Sequence, residues 1–253
     1  MKTGTKNLFI CGPNRSGTSL LRKLLNENEF INLNDIELNF FYIIKNYNSK
    51  RKLKERLKAN KKFMDWVSDQ DFLFDVINKN YPNKFAIYNK LLKKKLFLNN
   101  KILFYGEKTT FLEFKFIKYL NYYGRKLCFI HIIRDPLKTY ESQIYYKGEK
   151  RKINILRWSI KWLLSFVLSK YFSIRYKNLF ISIKFSDLIH KKKYTESKIN
   201  NFLNTKNLKF DEKIYKSKIN SSFAFDNNVY KSDERLNRFL IKCTLVPIYK
   251  IFI

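Results

Sequence analysis

A short apolar strand, a glycine turn and a helix open the chain, and strand-like and helical segments then alternate with no break in composition. These observations predict an α/β fold. The expected architecture is a P-loop-type parallel sheet flanked by helices, with a helical insertion (about residues 40–100) over the carboxyl edge of the sheet. All of it is expected within one domain, 1–253, since no repeat and no Pro/Gly-rich linker divides the chain.

Leu8 to Cys11 is a buried strand bounded by Gly12-Pro13, and Leu20, Leu21, Leu24 and Leu25 give Ser16–Leu25 a helical period. Within 51–100 the apolar positions Leu53 and Leu57, Phe72 to Ile77 and Phe85 to Leu98 are helical. A strand is expected at Ile102–Tyr105 and a helix near Phe114–Tyr122. Leu127–Ile133 is the strongest strand, a run of apolar and β-branched residues around His131. Asp135-Pro136 then starts a helix, with Asp as N-cap and Pro at the first helical position. Leu179–Phe185 is a further inner strand and Asp233–Lys242 a last helix. The apolar run Trp158–Ile174 carries Lys161 and Lys170, which argues against a membrane span. Its Trp158, Trp162 and Phe166 fall at helical spacing as a packing stripe.

The 253 residues carry 52 Lys+Arg against 21 Asp+Glu, a net charge of +31. Of the cations 41 are Lys and 11 Arg, and 27 Asn and 27 Ile stand against 3 Ala and 4 Pro. AT-rich codons account for that bias, and the lysines are spread along the chain, so no specific nucleic-acid partner is expected. The field itself favours anionic ligands and allows peripheral contact with an acidic membrane surface. Cys11, Cys128 and Cys243 have no paired spacing, which argues against a disulfide framework or structural zinc and fits a reducing compartment. With no signal peptide in Met1–Cys11, a cytoplasmic location is expected.

Gly12-Pro13-Asn14-Arg15-Ser16-Gly17-Thr18-Ser19 has P-loop spacing in the strand-to-helix context that lets backbone N–H groups converge on an anion. The lysine that reaches the β- and γ-phosphates of a nucleoside triphosphate is replaced by Thr18, and Arg15 supplies a cation three residues earlier. Arg134 ends the strongest strand, where a guanidinium fork suits a phosphate, and Ser142 lies two turns into the next helix.

Arg15-Ser16-Gly17-Thr18-Ser19-Leu20-Leu21 resembles the 5′-phosphosulfate loop of sulfotransferases that use 3′-phosphoadenosine 5′-phosphosulfate (PAPS). Phe129 to Pro136 followed by Ser142 resembles the same family's 3′-phosphate signature, a strand ending in R-D-P with a serine eight residues after the arginine. Glu37-Leu38-Asn39-Phe40-Phe41 is similar to the E-x-x-F-F segment of the carbohydrate sulfotransferases, heparan-type and bacterial members included, whose glutamate is the proposed base. Gly106-Glu107-Lys108-Thr109-Thr110 resembles their E-K-[ST]-P segment, with Thr110 in place of proline. Ile183–Leu188 resembles a structural strand end, and Asn220-Ser221-Ser222-Phe223 a late segment near the nucleotide in bacterial members.

The resemblance implies PAPS as co-substrate and no metal. It implies donor binding by Asn14, Arg15, Ser16, Gly17, Thr18, Ser19, Arg134 and Ser142, and catalysis by Glu37 as base with Lys108 and Arg15 on the sulfuryl group. The acceptor it implies is a hydroxyl, less readily an amine, of a carbohydrate or glycolipid. Alternatives stay open at this point: a solvated charge for Glu37, a P-loop small-molecule kinase, and a non-enzymatic polyanion binder. His131, inside the core strand, is read as structural and His190 as surface.

Overall fold

A computed structural model describes residues 5–35, 37–38, 40–43, 49–96, 101–145, 152–215 and 235–251. The segment 220–223, compared above with a late nucleotide segment, lies outside the described residues.

Five strands form an all-parallel sheet in the order β2-β3-β1-β4-β5. They are β1 (Lys6–Cys11), β2 (Ile31–Asn34), β3 (Phe104–Lys108), β4 (Leu127–Ile133) and β5 (Phe180–Lys184). Strand alternation divides their side chains between two layers. Phe9, Phe129 and Phe180 face one layer, and Leu8, Ile10, Ile130, Ile132 and Ile183 the other.

On the second face lie α1 (Thr18–Asn26), α10 (Phe185–His190) and α11 (Lys192–Leu203). Between β2 and β3 the chain is helical: α2 (Phe40–Ile43), α3 (Lys50–Lys58), α4 (Lys61–Val67), α5 (Gln70–Asn80) and α6 (Lys84–Leu96). Ser49, Asn60 and Asp69 cap α3, α4 and α5 by accepting the N–H of Lys52, Phe63 and Phe72. These helices bury Phe40, Leu57, Trp66, Ile77 and Tyr88 on the face of the sheet shared with α7 (Phe116–Tyr123), while α4 reaches the residues that follow β2.

A third cluster surrounds Ile133, built by α8 (Pro136–Ile144), α9 (Ile155–Arg175) and α12 (Arg235–Ile251). The stripe Trp158, Trp162 and Phe166 is its centre. The last helix runs nine residues beyond its expected end, through Pro247, because Ile241 and Leu245 bury against that cluster.

Two strands differ from expectation. β2 was read as no element at all, since its sequence INLN is half asparagine, a residue depleted in strands. The strand is held from outside the sheet. Asn26 donates to the Leu33 carbonyl and accepts the Leu33 N–H (2.7 and 2.8 Å), and Asn32 donates to the Leu96 carbonyl at 2.8 Å. β3 begins later and continues through Glu107 and Lys108, both buried.

Gly106 explains how β3 reaches β1. It pairs with Leu8, and a Cβ there would collide with the Leu8 carbonyl oxygen. Gly106→Ala is therefore expected to lower the melting temperature by about 6 °C or more, from the upper end of overpacking costs of about 1–3 kcal/mol. An unchanged melting curve would show that the two strands separate freely.

Candidate active site

The loop after β1 turns back over β4 through two constrained glycines. Gly12 has φ 137°, and a Cβ on it would strike the Ile132 carbonyl oxygen. Gly17 has φ 105°, and its Cβ would enter the Phe185 ring. Arg15 also lies in the left-handed region, at φ 66°. Gly17 is the N-cap of α1 and brings no side-chain cap, so the first-turn N–H groups receive no capping side chain. Ser16 Oγ is fully buried, with no hydrogen-bond partner among the described residues. Thr18 is buried, Asn14 half-buried, and Arg15 and Ser19 are exposed. A glycine cradle, an uncapped helix start and an orphaned hydroxyl suit a tetrahedral anion.

Three residues expected at the donor come together beside this loop. Arg134 Nη1 donates to the Arg15 carbonyl at 3.1 Å, and Arg15 Nε donates to Ser142 Oγ at 3.2 Å. The guanidinium of Arg134 lies over the Phe185 ring, 4.6 Å from its centroid. Its Nε is buried and has no hydrogen-bond partner among the described residues. Burial first, then the neighbouring Arg15 charge, lowers the Arg134 pKa. An anion here relieves both costs. Asp135 accepts the Lys138 N–H at 3.0 Å and Pro136 occupies the first turn, so the expected helix start is observed.

The other half of the site is built from the ends of β2 and β3. Arg22, on α1, donates to the Asn34 and Asp35 carbonyls, and Trp66 Nε1 donates to Asn34 Oδ1 at 2.9 Å. These bonds fix the chain as it leaves β2 toward Glu37, whose carbonyl accepts from Lys62 Nζ at 2.8 Å. The Glu37 carboxylate meets Lys108: Lys108 Nζ to Oε2 is 2.7 Å. Its Oε1 accepts both the N–H and the hydroxyl of Thr110, each at 3.0 Å. A proline in place of Thr110 would lack both donors. The residues after β3 are tied in turn to the glycine loop, Thr109 N–H to the Ile10 carbonyl and Phe111 N–H to the Gly12 carbonyl, both 3.0 Å. Burial pushes the Glu37 pKa up, but the Lys108 charge and the hydrogen bonds from Lys108 and Thr110 outweigh it, and the carboxyl titrates below its usual range.

Two contributors were not singled out from sequence. Phe185, noted only as part of a structural strand end, supports Gly17 and Arg134 together. Glu107 is fully buried beside the Glu37–Lys108 pair and accepts the Thr109 hydroxyl at 2.8 Å. Burial, with the nearby Glu37 charge adding, raises its pKa to about 7 against the opposing effect of the neighbouring Tyr88, Thr109 and Leu38 N–H dipoles. No charge pattern in Gly106-Glu107-Lys108 distinguishes a buried acid from a solvated one; only the continuation of β3 does.

His131 is fully buried, its Nε2 3.2 Å from Ser165 Oγ and its Nδ1 3.4 Å from Ser182 Oγ, with Glu113 beyond. His131, Ser165 and Glu113 are shut off from solvent, and the set holds β4 to α9 and β5. His190 is at the surface. Among the described residues, no group of three or more His, Cys, Asp or Glu is placed to hold a metal ion, and no helix is long and apolar enough to cross a membrane.

No protein-family model matches the sequence, and no curated protein matches it either. Solved structures do. The sulfotransferase domain from the olefin synthase of Synechococcus PCC 7002 aligns with a TM-score of 0.52 at 16% identity, over 91% of this chain and 82% of that one. The sulfotransferase from Alicyclobacillus acidocaldarius aligns with a TM-score of 0.51 at 14% identity, over 87% of this chain and 92% of that one. At such identities it is the backbone that is shared: this chain has the fold of the sulfotransferases.

Proposed function

We propose that the chain is a PAPS-dependent sulfotransferase acting on a hydroxyl, less readily an amine, of a carbohydrate or glycolipid. The observation that carries this reading is the Glu37–Lys108 pair, tied through Thr109 and Phe111 to a glycine loop that lacks a triphosphate-binding lysine. The sulfotransferase fold supports it. In this reading Asn14, Ser16, Gly17, Thr18 and Ser19 cradle the 5′-phosphosulfate, and Arg134 with Ser142 holds the 3′-phosphate. Lys108 and Arg15 offset negative charge on the sulfuryl and bridging oxygens.

The acceptor oxygen bonds to sulfur, the bond from sulfur to the bridging oxygen breaks, and that oxygen leaves with adenosine 3′,5′-bisphosphate. Glu37 takes the acceptor's proton. Its low pKa at rest comes from Lys108; when Lys108 turns to the sulfuryl oxygens, the carboxylate regains proton affinity at the moment it is needed. One contact thus serves two roles in sequence.

The test is a thermal-shift comparison of adenosine 3′,5′-bisphosphate with Mg-ATP, on wild type and Arg134→Ala at matched salt. At ~100 times its Kd a ligand adds about 2.7 kcal/mol, here about 5–11 °C. Stabilisation by the bisphosphate, lost in the variant, is expected. Stabilisation by Mg-ATP with indifference to the bisphosphate would transfer the site to the kinase reading.

A further inference from the structure

The helix α9 is apolar on two faces, and among the described residues only one of them is covered. Trp158, Trp162, Phe166 and Phe172 are buried. On the other side Leu156, Ile160, Leu164, Val167, Tyr171 and Ile174 are each 50–79% exposed. Their intervals of four, four, three, four and three residues draw one line along the helix, about 27 Å long at 1.5 Å per residue. A line of six large apolar side chains is more than scattered exposure and marks a contact surface.

The charges beside the line say what it contacts. From Lys152 to Ser186 the chain has seven Lys or Arg and no Asp or Glu. At 100° per residue, Arg157, Lys161 and Arg175 flank the line on one side and Lys170 on the other. Lys170 also lines a cavity of about 320 Å³ at the β5 edge, together with Lys184, Lys191, Lys198, Ser182 and Tyr194 and the single carboxylate Asp187. Burial, then the neighbouring Lys184 and Lys198 charges, lowers the pKa of Lys170; for Lys198 burial and Lys184 outweigh the opposing Asp187. A second copy of the chain would bring the same cations against these, with no acidic side chain on α9 to pair them. An apolar line between rows of long cationic side chains instead fits lipid: the line enters the acyl boundary and the amines extend to phosphates.

We infer that the outer face of α9 docks on an acidic lipid bilayer, with the Lys170–Lys184–Lys198 cavity receiving a headgroup phosphate. The same helix is linked to the candidate active site: Lys161 lies over the Phe111 ring, 5.9 Å from its centroid, and Phe111 follows Thr110, which holds Glu37. The inference does not depend on the sulfuryl-transfer reading, and its test needs no catalysis.

The experiment is co-sedimentation of the full chain with phosphatidylcholine vesicles, with and without phosphatidylserine, at physiological salt. Wild type is expected to bind the acidic vesicles about tenfold or more better than the neutral ones. Leu164→Glu with Val167→Glu is expected to lose that binding while keeping the wild-type melting temperature, since both side chains are exposed. Lys52→Gln with Lys58→Gln, which removes the same charge from exposed positions on α3, is expected to bind nearly as wild type. Absence of wild-type binding overturns the inference, and so does an equal loss in both variants, which would reduce it to attraction by net charge. Wild type that sediments as a dimer without lipid, and as a monomer in the α9 variant, assigns the face to a second copy instead.

Discussion

Glu37→Gln is expected to lower turnover about 10²–10⁴-fold, the usual contribution of a positioned base. The amide keeps an oxygen for the Thr110 N–H and hydroxyl, so the loop should hold its shape, but it has no charge for Lys108 and no affinity for the acceptor's proton. The measurement is kcat with a hydroxyl acceptor, alongside the melting shift with adenosine 3′,5′-bisphosphate. A lost kcat with a retained shift assigns Glu37 to the chemical step. Near-normal turnover removes it from that role. Because Lys108 and Thr110 hold the carboxyl ionised below its usual range, kcat/KM for the free enzyme should show no acid limb from Glu37 until the pH falls below about 4.5. Lys108→Ala removes the counter-charge, and the acid limb should then move upward in pH.

The pH dependence of stability should be dominated by Glu107. Its carboxyl titrates at about 7 in the folded chain against 4.5 as an ordinary glutamate. Between those values the folded state holds a proton that the unfolded state has released, so stability falls as pH rises through this window. The stabilisation is fully present below about 4.5 and lost above about 7, and two and a half units correspond to about 3 kcal/mol. For a chain of this size that is about 6–12 °C in melting temperature. Glu107→Gln, which is neutral at every pH and still accepts from Thr109, should flatten the curve and leave the variant more stable than wild type at pH 8. Parallel curves for the two proteins would place the ionisation elsewhere.

The core of the sheet was legible because Leu8–Cys11 of β1 is a continuous apolar run and β4 departs from one only at His131, as suits strands covered on both faces. β2 was not, because its asparagines gain their place from Leu96 and Trp66 and its Leu33 from Asn26, distant partners that no local propensity contains. The carboxyl end of β3 was hidden for a related reason: Glu and Lys side by side read as a solvated turn, and they are buried only because Glu37 and Thr109 meet them. In the candidate site, spacing around the glycines and the strand-end Arg134 carried the reading. What spacing did not carry was the convergence of Arg15 with both Arg134 and Ser142, which depends on the left-handed turn at Arg15. The lone glutamate of a polar loop became meaningful only once Thr110, the departure from a proline, proved to be its donor.

Gly106 has a consequence for the sign of the candidate site. Glu107 and Lys108 are neighbours on one strand, so alternation sends them to opposite sides of the sheet. Slipping β3 by a single residue against β1 would exchange them, presenting an acid to Glu37 where a cation now stands. Leu8 opposite Gly106 and Ile10 opposite Lys108 make the present register the one in which strand packing and electrostatic polarity agree. The glycine thus acts as an index mark, and the backbone ladder determines which charge is delivered to Glu37 at the carboxyl end of the sheet.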